Sequence, residues 1–111
     1  MGKKNNQPLE RGAYHKLEDV IGCKWSVSVL QAVGGGINRP GALERSIEGI
    51  STKVLSERLR KLSQYGLLEK IVYAESPPRT EYILTTSGRK LVKIIAQIKS
   101  LDEAIEQGEI E

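Results

Sequence analysis

Hydroxyl and basic side chains follow one another along the outer face of a predicted helix over residues 51–64. Leu55, Leu59 and Leu62 stand at i, i+4 and i+7, so this helix turns an apolar stripe inward. Short hydroxyls near its start can approach base edges closely, and the longer bases further on can donate to guanine or meet phosphates. This pattern suits a helix whose first half enters the major groove of DNA. The side chains concerned are Ser51, Thr52, Lys53, Ser56 and Arg60.

Taken alone, this polar face has a plainer explanation, because the outer face of a surface helix is normally just solvated. The segments that follow favour the DNA interpretation. Residues 68–74 and 80–84 have the composition of two strands, and the Ser-Pro-Pro-Arg sequence at residues 76–79 predicts a turn between them. A helix-turn-helix followed by a hairpin is a winged arrangement, in which the second helix of the pair reads the major groove. Arg79 then lies at the wing tip, over phosphates or in the adjacent minor groove, unless it is simply a solvated turn residue.

Shorter helices are predicted ahead of this pair. Residues 14–21 and 25–33 predict two helices by their apolar spacing, and a third, short helix begins near Pro40. Three consecutive glycines at residues 34–36 end the second helix, because glycine readily takes conformations that a helix cannot use. Ser51 is a good N-cap for the helix that follows, since its hydroxyl can accept a hydrogen bond from an unpaired backbone N–H.

The last predicted helix, residues 86–107, carries apolar residues in alternating steps of three and four, which is the spacing of a coiled-coil seam: Leu91, Ile94, Ile98, Leu101 and Ile105. A helix of this length spans about 30 Å, so its far end extends beyond a small domain. We therefore predict a homodimer in which Ile98, Leu101 and Ile105 contact the partner, together with Leu17 of the first helix. The alternative is that the seam covers its own domain, which we expect for Leu91 and Ile94.

Few residues of this chain could serve catalysis or bind a metal. The chain has 111 residues, enough for a single domain, with one cysteine and one histidine. These counts exclude an intrachain disulfide and the usual Cys/His zinc sites within one chain. No P-loop, dinucleotide-binding glycine pattern, nucleophile elbow or HExxH motif is present, and His15 has no cysteine or acid at a dyad or triad spacing. We expect no enzyme, no metal and no other cofactor.

The formal net charge of +3 conceals two regions of opposite sign. Residues 101–111 carry five acids and no base, whereas residues 1–100 carry all 17 bases and the other nine acids, a balance of +8. A body this basic favours a polyanionic partner. We expect a flexible arm at residues 1–12, one domain at 13–107 and an acidic tail at 108–111. Because the sequence has no signal peptide and no apolar run long enough to span a bilayer, we also expect a cytoplasmic protein with no membrane partner.

Several short motifs stand in a characteristic order: Lys24-Trp25, Gly49-Ile50-Ser51, Leu55-x-x-Arg58-Leu59-x-x-Leu62, Tyr65-Gly66-Leu67-Leu68 and Pro77-Pro78-Arg79-Thr80-Glu81-Tyr82-x-Leu84-Thr85-x-x-Gly88. Each motif is common by itself, but the set at these spacings is specific. Together the motifs resemble the HxlR-type winged helix-turn-helix transcription regulators, and the resemblance covers residues 17–101.

The resemblance implies a homodimer that is held by its terminal helices and binds a pseudo-palindromic operator in double-stranded DNA. It assigns DNA reading to six residues of this chain, of which the last lies in the wing: Ser51, Thr52, Lys53, Ser56, Arg60 and Arg79. The chain departs from the family pattern at Arg39-Pro40, where the family usually shows Arg-Phe. That change alters local packing or a phosphate contact. The residues identify no effector.

Cys23 is a second departure, since the family usually has glycine before Lys-Trp. Some members carry a redox-sensing cysteine near the start of the first helix, and this chain has none there. A free cysteine is usually a small buried apolar residue. Lys24 and a helix N-terminus beside it could lower its pKa, which leaves a redox role open. We hypothesise that Cys23 is not a redox switch.

These features together predict a mainly α (α+β) fold: a winged helix-turn-helix with a two-stranded hairpin as wing and terminal dimerisation helices. The predicted function is sequence-specific DNA binding in transcription regulation, with residues 51–64 in the major groove and the wing, residues 75–80, on the backbone or in the minor groove. The alternative is a winged-helix adaptor that binds protein and no DNA, because a fold does not fix a function. An adaptor would expose an apolar patch where this chain has bases.

Overall fold

A computed structural model describes residues 14–108. The predicted arm at residues 1–12 lies outside the described residues, and so does the predicted tail at 108–111 apart from Gly108. Among the described residues, the chain forms five helices and one two-stranded sheet, which confirms the predicted winged helix-turn-helix. In chain order the elements are α1 His15–Ile21, α2 Lys24–Gly34, α3 Pro40–Ser46, α4 Thr52–Gln64, β1 Leu68–Tyr73, β2 Arg79–Leu84 and α5 Thr86–Glu106.

The core is built around α2, which contacts α1, α3, α4, α5 and β2. Val29 and Leu30 of this helix have no exposed surface, and Leu43 of α3 and Leu62 of α4 are equally buried. Apolar spacing therefore predicted the inward faces of these helices correctly. Triple glycine ends α2 as expected, with Gly34 as its last residue.

The helix-turn-helix consists of α3 and α4. Pro40 is the first residue of α3, where its missing N–H costs no hydrogen bond. The connecting turn passes through Gly49, whose φ of 87° is a conformation that favours glycine. Ser51 caps α4, since its hydroxyl accepts a hydrogen bond from the Val54 amide at 3.1 Å. The predicted leucine stripe of α4 is buried: Leu55, Leu59 and Leu62.

The wing is an antiparallel hairpin whose register pairs Leu68 with Leu84 and Tyr73 with Arg79. The Tyr82 amide donates to the Asn38 carbonyl at 2.8 Å, which ties β2 to the segment before α3. The prediction that Arg79 belongs to the turn is wrong, because it is the first residue of β2 and the loop comprises residues 74–78. Strand pairing extends this far since the Arg79 guanidinium lies 4.1 Å from the centre of the Tyr73 ring opposite.

The start of α5 packs closely against the base of the hairpin. The Thr85 hydroxyl caps the helix by accepting a hydrogen bond from the Gly88 amide at 3.0 Å. Gly88 is buried here, and a Cβ on this residue would overlap the carbonyl oxygen of Leu67. The glycine is therefore required by the close approach of helix and strand.

One face of α5 covers the domain and a second face is exposed. Leu91 and Ile95 are buried, whereas Ile94 is 45% exposed. The expectation that Leu91 and Ile94 cover the domain is therefore wrong for Ile94, because the contact with the hairpin and α2 uses a face turned by one residue from the seam. No helix within residues 14–108 is both long enough and apolar enough to cross a bilayer.

The rest of the seam forms an apolar stripe on the surface. The exposed fractions are 46% for Ile98, 51% for Leu101 and 56% for Ile105, and Leu17 of α1 is 41% exposed. Their contact with a partner stays a prediction, which this exposure permits.

A polar cluster joins α1 to the end of α4. Val20 is the buried residue of α1, so the helix has little apolar anchorage of its own. The Tyr65 hydroxyl donates to Asp19 Oδ2 at 2.8 Å, and Lys61 Nζ lies 3.3 Å from the same oxygen. The hydrogen bond from Tyr65 outweighs the effect of burial and, with the Lys61 charge, lowers the pKa of Asp19.

We predict that Tyr65→Phe destabilises the fold at neutral pH and that the loss shrinks in acid. Because the folded-state pKa of Asp19 is lowered, its carboxylate stabilises the fold above its ordinary pKa of about 3.9, and that contribution is lost as the pH falls through the folded value. Urea unfolding at neutral pH and at a pH well below about 4, beneath the lowered folded-state pKa of Asp19, measures the difference. Tyr73→Phe, which removes a hydroxyl from the hairpin, is the matched control. Equal losses at both pH values would contradict the prediction.

Candidate nucleic-acid interface

The exposed side of α4 holds all five residues that the sequence assigned to it: Ser51, Thr52, Lys53, Ser56 and Arg60. The leucine stripe fixes this orientation, because its burial leaves the opposite face to solvent. Large apolar side chains are exposed on α1, α5 and β1 in the described part of the chain, but not on α4. A protein-binding adaptor would need such a patch on α4.

Two of these hydroxyls already have partners within the protein. Ser51 Oγ accepts the capping hydrogen bond and keeps its proton for another acceptor. The Thr52 hydroxyl donates its proton to Glu44 Oε2 at 2.7 Å, so toward any ligand it can only accept. Sequence reasoning missed this contact because Glu44 belongs to the preceding helix.

Three of the five residues keep their polar groups available. Among residues 14–108, Lys53, Ser56 and Arg60 make no side-chain hydrogen bond or salt bridge. They stand at spacings of three and four, which places them along one side of α4. A row of a cation, a hydroxyl and a guanidinium can donate to base edges and phosphates alike.

A cleft of about 560 Å³ separates this part of α4 from the wing. We call it the α4–wing cleft; its lining consists of Pro40, Ser56, Leu59, Arg60, Ser63, Gln64, Lys70 and Tyr82. Lys70 of β1 is exposed here and adds a second base opposite Arg60. Lys70 was not among the residues predicted from the sequence. The hairpin pairs it with Tyr82, and the register of the two predicted strands was the signal that could have identified it.

Arg79 is not an unpaired wing-tip base. Its Nη2 lies 3.4 Å from Glu75 Oε2, and its Nε lies 3.5 Å from Glu81 Oε2. The Nε contact is ionic only, since the buried Nε has no hydrogen-bond partner in the described residues. The guanidinium also lies over the Tyr73 ring, which is its third neighbour in the hairpin. Strand alternation places Arg79 and Glu81 on one face, so this pair was open to prediction, whereas the Glu75 contact depends on the loop.

Cys23 is the N-cap residue of α2 and is half-buried. Burial raises the pKa of its thiol, but hydrogen bonds from the Ser26 hydroxyl and from two backbone amides, with the charge of Arg58, lower it overall. Arg58 Nη1 lies 3.7 Å from Sγ. The helix N-terminus therefore acts as the sequence suggested. Lys24 does not contribute, because its ammonium lies over the Trp25 ring, 4.6 Å from the ring centre.

We predict that the Cys23 thiol of the folded protein ionises at a lower pH than the same thiol in urea-unfolded chain. The rate of alkylation by iodoacetamide, followed against pH, measures both midpoints. Ser26→Ala should raise the folded midpoint toward the unfolded one, because it removes the hydroxyl that stabilises the thiolate. A folded midpoint equal to or above the unfolded one would refute the assignment.

Comparison with known proteins agrees with this geometry. The HxlR-like helix-turn-helix family model matches residues 20–109. An HTH-type transcriptional regulator of Synechocystis is 40% identical over 83 residues, which are 75% of this chain and 62% of that protein. The regulator YybR of Bacillus subtilis is 34% identical over 103 residues, which are 92% of this chain and 82% of the length of YybR. The matched region spans about three fifths of the length of the first curated relatives.

The crystal structure of a MarR-family transcriptional regulator from Enterococcus faecalis superposes with a TM-score of 0.80 at 28% identity, and the match covers 96% of this chain and 97% of that one. The proteins named here are transcriptional regulators and not enzymes. With the family model spanning the helix-turn-helix, the wing and α5, this chain belongs to the HxlR-like helix-turn-helix family.

Proposed function

We propose that this protein is a homodimeric transcription regulator that binds DNA sequence-specifically in the cytoplasm. The observation that carries the proposal is the α4–wing cleft, in which Ser56, Arg60 and Lys70 present polar groups without an apolar patch on α4. Two bases and a hydroxyl on converging elements fit a polyanion better than they fit an apolar protein surface. The family membership and the regulator names of the relatives support the same function.

In this proposal α4 lies in the major groove. Arg60 has a planar fork of donors that fits the acceptor pair on guanine, and Ser56 approaches an adjacent base or phosphate. Ser51 and Thr52 lie at the positive end of the helix dipole, where a phosphate is stabilised. Lys53 and Lys70 neutralise backbone phosphates, and Arg79 contacts the backbone or the minor groove from the wing.

The proposed dimer uses the apolar stripe of α5 with Leu17. A monomer that exposes Ile98, Leu101 and Ile105 in a row leaves an apolar seam in water, which a second copy would cover. A two-fold axis between the copies would place their α4 helices on half-sites about 34 Å apart, which favours a pseudo-palindromic operator.

Selection from a random DNA library at fixed salt, followed by affinity measurements against salt concentration, tests DNA binding directly. A regulator enriches one sequence and shows a logarithmic salt slope of about −0.9 per phosphate neutralised. If no sequence is enriched and affinity for duplex DNA stays negligible at low salt, the adaptor alternative replaces this proposal.

We predict that Arg60→Ala removes discrimination between operators that differ at one base pair. The loss should be about 1–3 kcal/mol for the preferred base, with a smaller effect on random DNA, because a bidentate base contact disappears. Fluorescence anisotropy with an operator and its single-base variants measures it. The control is Lys93→Ala, which also removes one positive charge, but from α5, and should leave the discrimination between operators unchanged. Equal losses on every sequence would show that Arg60 contacts only phosphate.

We predict that Ile98→Ser combined with Leu101→Ser converts the dimer to monomer while the domain stays folded. Each large aliphatic side chain contributes about 1.5–3 kcal/mol when it is fully buried, so the dimer dissociation constant should rise at least about tenfold. Light scattering at several protein concentrations measures the mass. Val72→Ser is the matched control, since Val72 is 59% exposed on the wing and lies outside the stripe. A wild-type protein of monomer mass would refute the proposed dimer.

A further inference from the structure

The wing arginine is enclosed on three sides by groups of the same hairpin. Glu75 and Glu81 contact the Arg79 guanidinium through different nitrogens, at 3.4 and 3.5 Å, and the Tyr73 ring lies against its plane. A single cation is thus held by Tyr73 on β1, Glu75 in the loop and Glu81 on β2. The Arg79 side chain is 32% exposed, so it is neither buried nor free to move as a solvated arginine would be.

This arrangement changes the charge that the wing presents. Residues 68–84 carry the bases Lys70 and Arg79 against the acids Glu69, Glu75 and Glu81, a balance of −1. A wing of this charge repels phosphate unless the phosphate replaces one of the carboxylates that contact Arg79. Phosphate contacts supply much of the affinity for DNA, so an arginine that is held by carboxylates lowers that affinity.

The two carboxylates are not equivalent. Glu75 is 51% exposed and sits in the loop, four residues before Arg79, whereas Glu81 is 22% exposed and belongs to β2. An exposed ion pair is easily replaced by another anion, because water and salt already screen it. Glu75 is therefore the partner that phosphate can displace, while Glu81 and Tyr73 keep the guanidinium in position.

We propose that Glu75 is an autoinhibitory residue, which competes with DNA phosphate for Arg79 and so weakens binding to the operator more than binding to random DNA. The inference rests on the proposed DNA-binding function. In the operator complex, contacts of α4 fix the wing against the duplex, and the phosphate is held next to Arg79. On random DNA no such contacts hold it there and Glu75 keeps the cation, so the cost of breaking the ion pair falls on the operator complex.

The experiment compares Glu75→Gln with Glu69→Gln in the full-length protein. Both remove one negative charge from the hairpin, but Glu69 makes no salt bridge within residues 14–108, so it reports the general effect of charge alone. Each variant is also made with Arg79→Ala. Affinity for a random-sequence duplex and for the selected operator is measured against salt, and thermal melting establishes that each variant is folded.

We expect Glu75→Gln to raise affinity for the operator about two- to fivefold beyond Glu69→Gln, the range for an exposed ion pair that no longer has to be broken on binding. Affinity for random DNA should rise less, because Glu75 is not displaced there in the wild-type protein, so the ratio of operator affinity to random-DNA affinity rises. With Arg79→Ala present, the excess gain of Glu75→Gln should vanish, because no cation is left to release.

Equal gains from Glu75→Gln and Glu69→Gln, or an excess that persists with Arg79→Ala, would overturn the inference and leave DNA binding intact. If the wild-type protein itself binds no duplex DNA, the proposed function and this inference both fall. The wild-type measurement therefore separates the two failures.

Discussion

Packing around α2 is the constraint on which the remaining structure depends. This helix contacts the other helices of the described domain and β2, and its Val29 and Leu30 are fully buried. The leucine stripe of α4 packs in the same core, and each fully buried leucine contributes about 1.5–3 kcal/mol. Because α4 cannot rotate without exposing that stripe, its polar face is fixed toward solvent. The positions of the residues on α4 that are proposed to read DNA follow from apolar burial on the opposite side of the helix.

Acidic residues then decide which of the polar groups are available. Glu44 takes the proton of Thr52, Asp19 holds Tyr65 and Lys61, and the glutamates of the wing hold Arg79. Ser56, Arg60 and Lys70 are left to meet a ligand at the α4–wing cleft, and Lys53 is left to meet one elsewhere on the exposed side of α4. Among the bases of residues 14–108, Lys61 and Arg79 are thus paired with acids inside the domain, so a ligand meets them only by displacing a carboxylate.

Sequence patterns predicted the elements well because those elements depend on local rules. Leucine spacing, the Ser51 cap and the glycine stops all act within a few residues, and each lies where predicted. The predictions were weaker where two elements meet. The coiled-coil steps of α5 placed Ile94 against the domain, but contact with the hairpin selects Ile95. Thr52 with Glu44 and Arg79 with Glu75 depend on how a turn or loop closes, which residue spacing does not specify.

The polar cluster at α1 gives the domain a connection between its two proposed surfaces. Leu17 lies on the same short helix as Asp19, and Asp19 is bound to Tyr65, the residue that ends α4. With Val20 as the buried residue of α1, the orientation of this helix depends substantially on that one carboxylate. A partner that packs on Leu17 would act on the C-terminal end of α4 through Asp19. The spacing of the two α4 helices in the proposed dimer would then depend on a hydrogen bond at the C-terminal end of each helix, beyond the residues proposed to read DNA.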